Sequence, residues 1–236
     1  MQNKNDSTRR LAKAISDSGY CSRRDAEKII LENRVSVDCE IINTPAFNVT
    51  DDNLVAIDGK AIHSKEQTRL WLYHKPPGLV TTHRDPQNRP TVFQNLPKNL
   101  PRVISVGRLD LNSEGLLLLT NSGDFARKLE LPSNNYMRVY KVRAFGYIDT
   151  KGLKSAADGI KIDGEYYRSA KIELIQGDEP RLKNNWFEVT LHEGKNREIR
   201  KIFTHFGLEV NRLIRVLYGP WKLGNLKQGE VREVNL

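Results

Sequence analysis

Apolar residues follow two spacings along this chain, and the change from one to the other divides it. Near the start, Leu11, Ala14 and Ile15 recur at helical intervals, and Gly19 follows as a stop. Ala26, Ile29 and Ile30 repeat the pattern, with Ser22 where an N-cap belongs and Asp25 three residues on as its partner. Two short helices joined by a turn are therefore predicted over residues 8–34. "NRVSVDCEIINTPAFNVTDDNLVAIDGKAI" then reads as short strands between polar turns. From Leu70 the pattern belongs to longer strands. "RLWLYHKPPGLVTTH" predicts a strand, a Pro-Pro-Gly turn and a second strand. "RVISV" and "YMRVYKVRAFG" are further strands, and "GLLLLT" is one buried by its composition. Helical spacing returns from Ser122, with Phe125, Ala126 and Leu129 on one side. It returns again after Asn196, which can cap a helix whose Ile199, Ile202, Phe203 and Phe206 form the buried stripe before Gly207. No fixed period runs through the chain, so neither a solenoid nor a propeller is expected.

At 236 residues the chain holds one large domain or two unequal ones. "AIHSKEQTR", residues 61–69, is polar with few apolar anchors and reads as a linker between a module at 8–60 and a larger domain at 70–236. The net charge of +9 points to a polyanionic partner, most often nucleic acid. That charge is uneven: residues 35–60 carry one basic side chain against five acidic ones, so the positive potential comes from local stripes. Cys21 and Cys39 are the two cysteines, and neither they nor the five histidines show zinc-site spacing, so no metal is expected. Two cysteines without a signal peptide fit the reducing cytoplasm. The longest apolar runs are too short to span a membrane.

Four stretches could carry chemistry. In the N-terminal helix pair, Arg9, Arg10, Lys13, Arg23, Arg24 and Lys28 are left for the outer surfaces. They make either a solvated hairpin or a grip on RNA phosphates. In "SVGRLDLNSEGLLLLT", Asp110 lies in a loop between two strands, bracketed by Gly107 and Gly115, with Leu109 and Leu111 as core anchors and Arg108 beside it. Its carboxylate either caps an Asx-turn or does chemistry. Tyr140 sits in a strand among Arg138, Lys141 and Arg143, where it either packs in the core or offers a stacking face to a base. In "HEGKNREIRKIFTHFG", Arg197, Arg200, Lys201 and Thr204 share the face opposite the apolar stripe. Spacing leaves open whether they are solvated or reach Asp110 and phosphates.

"RLAKAISDSGYCSRRDAEKIILENRVSVD" resembles the S4 RNA-binding domain, in which Ser-Arg-Arg opens the second helix; Asp38-Cys39 departs from the usual Asn-Gly turn. Behind it, "GRLDLNSEGLLLLTNSGDF", "RVYKVRAFG" and "EGKNREIRKIFTHFG" follow in the order seen in the RsuA/RluB family of ribosomal RNA pseudouridine synthases. "GKNREIRKIF" with "RLIRVLYGP" is similar to the large-subunit, RluB-like branch. The resemblance implies an α+β catalytic domain with a central mixed, largely antiparallel β-sheet, preceded by a small S4 domain. It implies isomerisation of uridine to pseudouridine in ribosomal RNA, on the large subunit. Elements and charge balance in that reaction, so no cofactor is expected, and a monomer is the default. By the same resemblance Asp110 is the catalytic aspartate, Tyr140 the residue stacking on the target base and Arg200 the basic partner of Asp110. Arg9, Ser22, Arg23, Arg24, Arg34, Arg108 and Arg197 would face RNA. The competing reading is a non-catalytic S4-type RNA-binding or ribosome-assembly protein.

Overall fold

The computed structural model describes residues 8–62, 66–176 and 183–236. The linker expected over 61–69 includes residues 63–65, which lie outside the described residues. The chain forms two compact units: Met1–Arg69 with Asn99–Ile104 and Asn121–Gly123, and Leu70–Lys98 with Ser105–Thr120 and Asp124–Leu236.

In the smaller unit, β1 (Arg9–Arg10) leads into α1 (Leu11–Asp17), and α2 (Arg23–Leu31) follows. Then come β2 (Val35–Val37), β3 (Glu40–Ile41), β4 (Asn48–Val49), β5 (Val55–Ile57) and β6 (Lys60–Ala61). The strands form an antiparallel β3-β2-β5-β6 sheet, and β1 pairs with β4. The predicted helix stripes close the core: Leu11, Ala14 and Ile15 meet Ala26 and Ile30 over Val35, Val37, Val55 and Ile57. Ser22 caps α2, accepting from the Asp25 amide and donating to the Asp25 carboxylate. The β2–β3 turn is tight although it lacks Asn-Gly. Asp38 and Cys39 both take positive φ (50° and 72°), as a type I′ hairpin requires. The Asp38 carboxylate then accepts from the Leu54 amide and the Asn53 side chain.

The larger unit is built on β7 (Leu70–Lys75), β8 (Ile104–Val106), β9 (Glu114–Thr120), α3 (Gly123–Glu130) and β10 (Arg138–Gly146). It continues through α4 (Thr150–Ser155), β11 (Ile160–Ile162), β12 (Glu165–Tyr167), β13 (Ala170–Gln176) and β14 (Lys183–Leu191). Helix α5 (Glu198–His205), β15 (Glu209–Tyr218), β16 (Trp221–Lys222) and β17 (Val231–Val234) complete it. The main sheet runs β13-β14-β10-β15-β9-β7-β17, antiparallel at every step of that path except β15–β9. This is the mixed, largely antiparallel α+β fold expected.

Strand β9 is buried along its whole length, as its run of leucines predicts for a central strand covered on both faces. It meets β15 through only two register pairs, Glu114↔Ile214 and Gly115↔Arg215, and these join the two halves of the sheet. A Cβ on Gly115 would lie 2.3 Å from the Arg215 carbonyl oxygen, so the approach needs glycine. The second strand expected in "GLVTTH" is absent: Val80 forms only an isolated bridge to Thr91. Its return partner contains Pro90, which has no amide hydrogen to extend a ladder.

Candidate active site

Asp110 stands in the loop between β8 and β9, and the loop is held almost entirely through its backbone. Gly107 turns with φ of 67°, and its amide donates to the Glu130 carboxylate. Leu109 is buried, and its carbonyl and amide both bond the Thr81 hydroxyl. Gly78 donates its amide to the Leu111 carbonyl, and Ser113 donates to the Asp110 carbonyl at 3.0 Å. The turn is thus closed by the backbone oxygen of Asp110. Among the described residues the carboxylate accepts no hydrogen bond, which removes the Asx-turn alternative.

Lys75, at the end of β7, is the residue that sequence reasoning missed. Its side chain is fully buried, and its ammonium donates to the carbonyls of Ser113 (2.9 Å), Pro76 (3.0 Å) and Asp110 (3.1 Å). The ammonium therefore works as a clamp on the loop. Burial pushes Lys75 down to about 8, while the Asp110 and Glu114 carboxylates pull it back up. Its signal in the sequence was a lysine at the last position of the apolar run "LWLYHK", where a solvated side chain has no natural place.

The carboxylate itself is 36% exposed, and Arg197 Nη1 lies 3.9 Å from its Oδ2. Arg200, one helical turn along, instead donates to the Val210 carbonyl at 2.8 Å, so the ion pair within 4 Å belongs to Arg197. Arg200 is half-buried and lowered by burial and by Arg197, with Asp110 raising it, so the two guanidiniums and the carboxylate share one electrostatic field. Asn196 does not cap α5. Arg197 occupies that position in the left-handed region (φ 53°), and the turn before it is closed by Glu198, whose carboxylate accepts from the Lys195 amide. Ile199, Ile202 and Phe203 are buried as predicted. Lys201 turns toward the β11–β12 hairpin, where it meets Glu165 and Tyr167.

Tyr140 is buried in β10, paired with Arg215 of β15, which in turn pairs with Gly115 of β9. Two strand spacings of ~4.8 Å put its backbone about 10 Å from the end of the Asp110 loop. The β10–β15 register shifts between Val139 and Tyr140, where Val216 of β15 is the extra residue. The cations around it divide. Lys141 and Arg143 are exposed on the opposite sheet face. Arg138 is buried and serves the core: its guanidinium and that of Arg215 both lie over the Tyr218 ring, at 4.7 and 5.1 Å. Arg108 is exposed beside Asp110.

In the smaller unit, Arg23 and Arg24 are exposed on the first turn of α2, which Ser22 caps. Arg34 is held by Asp58 and Glu32, and Arg9 by Asp51 at 2.8 Å, so both guanidiniums are fixed in direction.

The family model for RNA pseudouridylate synthase matches residues 69–205, and the S4 domain model matches 9–60. A Rickettsia felis protein named an uncharacterized RNA pseudouridine synthase is 56% identical over 96% of each chain. Ribosomal large subunit pseudouridine synthase B of Salmonella typhimurium is 40% identical over 96% of this chain and 79% of its own. A crystal structure of a pseudouridylate synthase superposes with a TM-score of 0.67 at 25% identity, covering 96% of both chains.

Proposed function

Because the chain belongs to the RNA pseudouridylate synthase family, we propose that it isomerises uridine to pseudouridine in large-subunit ribosomal RNA, with Asp110 as the catalytic residue. Residues 8–60 act as the S4 grip and 70–236 as the catalytic domain, in a protein working as a monomer. The observation that carries the role of Asp110 is its side chain. The turn, Lys75 and Thr81 hold the loop by its backbone, and the carboxylate is left open on one side with a guanidinium on the other.

The reaction breaks the bond from ribose C1′ to uracil N1, rotates the base and joins C1′ to C5. N1 gains a proton and C5 loses one, so atoms and charge balance without a redox partner. A base inside a helix is out of reach, and extruding it costs a few kcal/mol. Phosphate contacts from Arg23, Arg24 and Arg108, and stacking on Tyr140, offset that cost. Asp110 then acts on the sugar, as a nucleophile at C1′ or as a base toward a ribose proton. Arg197 pairs with the carboxylate, and Arg200, tied to the Val210 carbonyl, adds positive potential beside it.

The test is Asp110→Asn on ribosomal RNA, with pseudouridine mapped chemically and RNA affinity measured alongside. Turnover is expected to vanish while binding persists. Normal turnover would overturn the assignment.

A further inference from the structure

The approach to α5 holds a second acidic pair that the reaction above does not use. Glu198 is 3% exposed and Glu193 7%, and the facing Glu193 carboxyl acts on Glu198 at side-chain range. Glu193 accepts from the Arg168 amide at 2.7 Å, with the Arg168 guanidinium 3.9 Å from its other oxygen. One Glu198 oxygen accepts from the Lys195 amide at 3.0 Å. The other, Oε1, is buried and has no donor among the described residues. Two carboxylates have nothing to donate to each other, so a bond between them needs a proton.

The surrounding charges do not replace that proton. From β10, the Arg138 guanidinium lies beside Gly194 but is bound to Tyr218. From the connecting turn, Lys195 lies over the Tyr167 ring and bonds the Tyr166 carbonyl. From β12 and α5, Glu165 and Lys201 bond each other, and Tyr167 bonds both.

We infer that Glu198 and Glu193 share one proton, and that this proton locks the turn presenting Arg197 and Arg200 to Asp110. The inference rests on the reading of that site given above. Its physical basis is the turn itself. Glu198 donates its amide to the Lys195 carbonyl and accepts the Lys195 amide on its side chain, closing the turn from both ends. Between them Arg197 is held in a left-handed conformation that a non-glycine residue adopts only when its surroundings impose it. Removing the proton sets two like charges against each other in a buried site, and the turn opens. Burial first, and the facing Glu193 after it, push Glu198 up to about 8, against the Lys195 amide bond that pulls it down. Glu198 is a positioning residue: it touches no reacting atom.

Two measurements on the full chain test this. In protein labelled with ¹³C at the glutamate carboxyls, the Glu198 signal, assigned by its loss in Glu198→Gln, is expected to titrate near pH 8. A titration below pH 6 would overturn the shared proton. The pH–rate profile on ribosomal RNA is the second. Wild type is expected to lose about tenfold in rate between pH 7 and pH 9, beyond any loss common to all variants. Glu198→Gln, whose amide donates to Glu193 and has no proton to lose there, is expected to lack that extra fall relative to its own rate at pH 7. Glu193→Gln is the second variant should the first not fold, with the same expectation. Identical alkaline limbs in wild type and variant would refute the lock. If wild type itself makes no pseudouridine at any pH, the proposed reaction fails, and the carboxyl titration still decides the proton.

Discussion

Replacing Gly115 with alanine should damage this protein far more than the same change at Gly107, eight residues earlier. Both glycines flank the Asp110 loop and both have positive φ, 107° and 67°. An alanine at either pays for a left-handed backbone, about 1–2 kcal/mol. At Gly107 nothing lies within 4 Å of an added Cβ, so the conformational term is all there is. At Gly115 the Cβ meets the Arg215 oxygen at 2.3 Å and the Arg215 nitrogen at 2.7 Å. These are backbone atoms of β15, which no rotamer change can move aside. Overpacking of that kind costs about 1–3 kcal/mol more. The contact sits in the two-pair junction between the halves of the main sheet, so the strain separates β9 from β15. The expected total is about 2–5 kcal/mol for Gly115→Ala against about 1–2 for Gly107→Ala. Urea unfolding followed by tryptophan fluorescence reads this directly, because Trp71, Trp186 and Trp221 all lie in the larger unit. Trp71 on β7 and Trp186 on β14 report on opposite sides of the junction. Equal midpoint shifts for the two variants would show that backbone strain alone decides, and the close-approach argument would be wrong.

Two further changes probe the loop and the hairpin. Lys75→Met removes the clamp and relieves a buried charge together; turnover is expected to fall at least tenfold with a much smaller change in RNA affinity. Since folded Lys75 lies near 8 and a free lysine at 10.5, the unfolded chain binds more protons between those values. Wild-type stability therefore gains a rising component from about pH 8 to 10.5 that Lys75→Met should lack; its presence in the variant would refute the clamp's titration. Cys39→Gly relieves a left-handed cysteine in the β2–β3 turn and should stabilise the hairpin by about 1 kcal/mol. Slower amide exchange at Ile42, which donates to the Val35 carbonyl across that pair, would register it; faster exchange would count against the turn geometry.

The elements most legible in the sequence are those whose burial follows from period alone. The α1 stripe, Ala26 and Ile30 of α2, Ile199, Ile202 and Phe203 of α5 and the leucine run of β9 are buried as predicted, because hydrophobic spacing is a local property, while Ile29 and Phe206 are half-buried. Expectations failed where a side chain had two uses of similar energy. Asn196 is a good cap, but the entry to α5 is taken by Glu198 reaching back to Lys195, a bond whose worth depends on the burial around it. Arg138 reads as a surface cation in "RVYKVR" and becomes half of a stack on Tyr218, eighty residues away.

The same division holds for the candidate site. Asp110, its glycines and its leucine anchors can be picked out from the chain by residue type and order. That Lys75 clamps the loop, that Arg197 and not Arg200 lies within 4 Å of the carboxylate, and that Glu198 meets Glu193 cannot. What the chain determines on its own is which stretches are helix, which are strand and which loop carries the carboxylate, since those follow from local pattern and turn chemistry. What only the tertiary structure decides is the partner of each buried charge, because desolvation and Coulomb attraction act between groups that the fold, not the chain order, brings together.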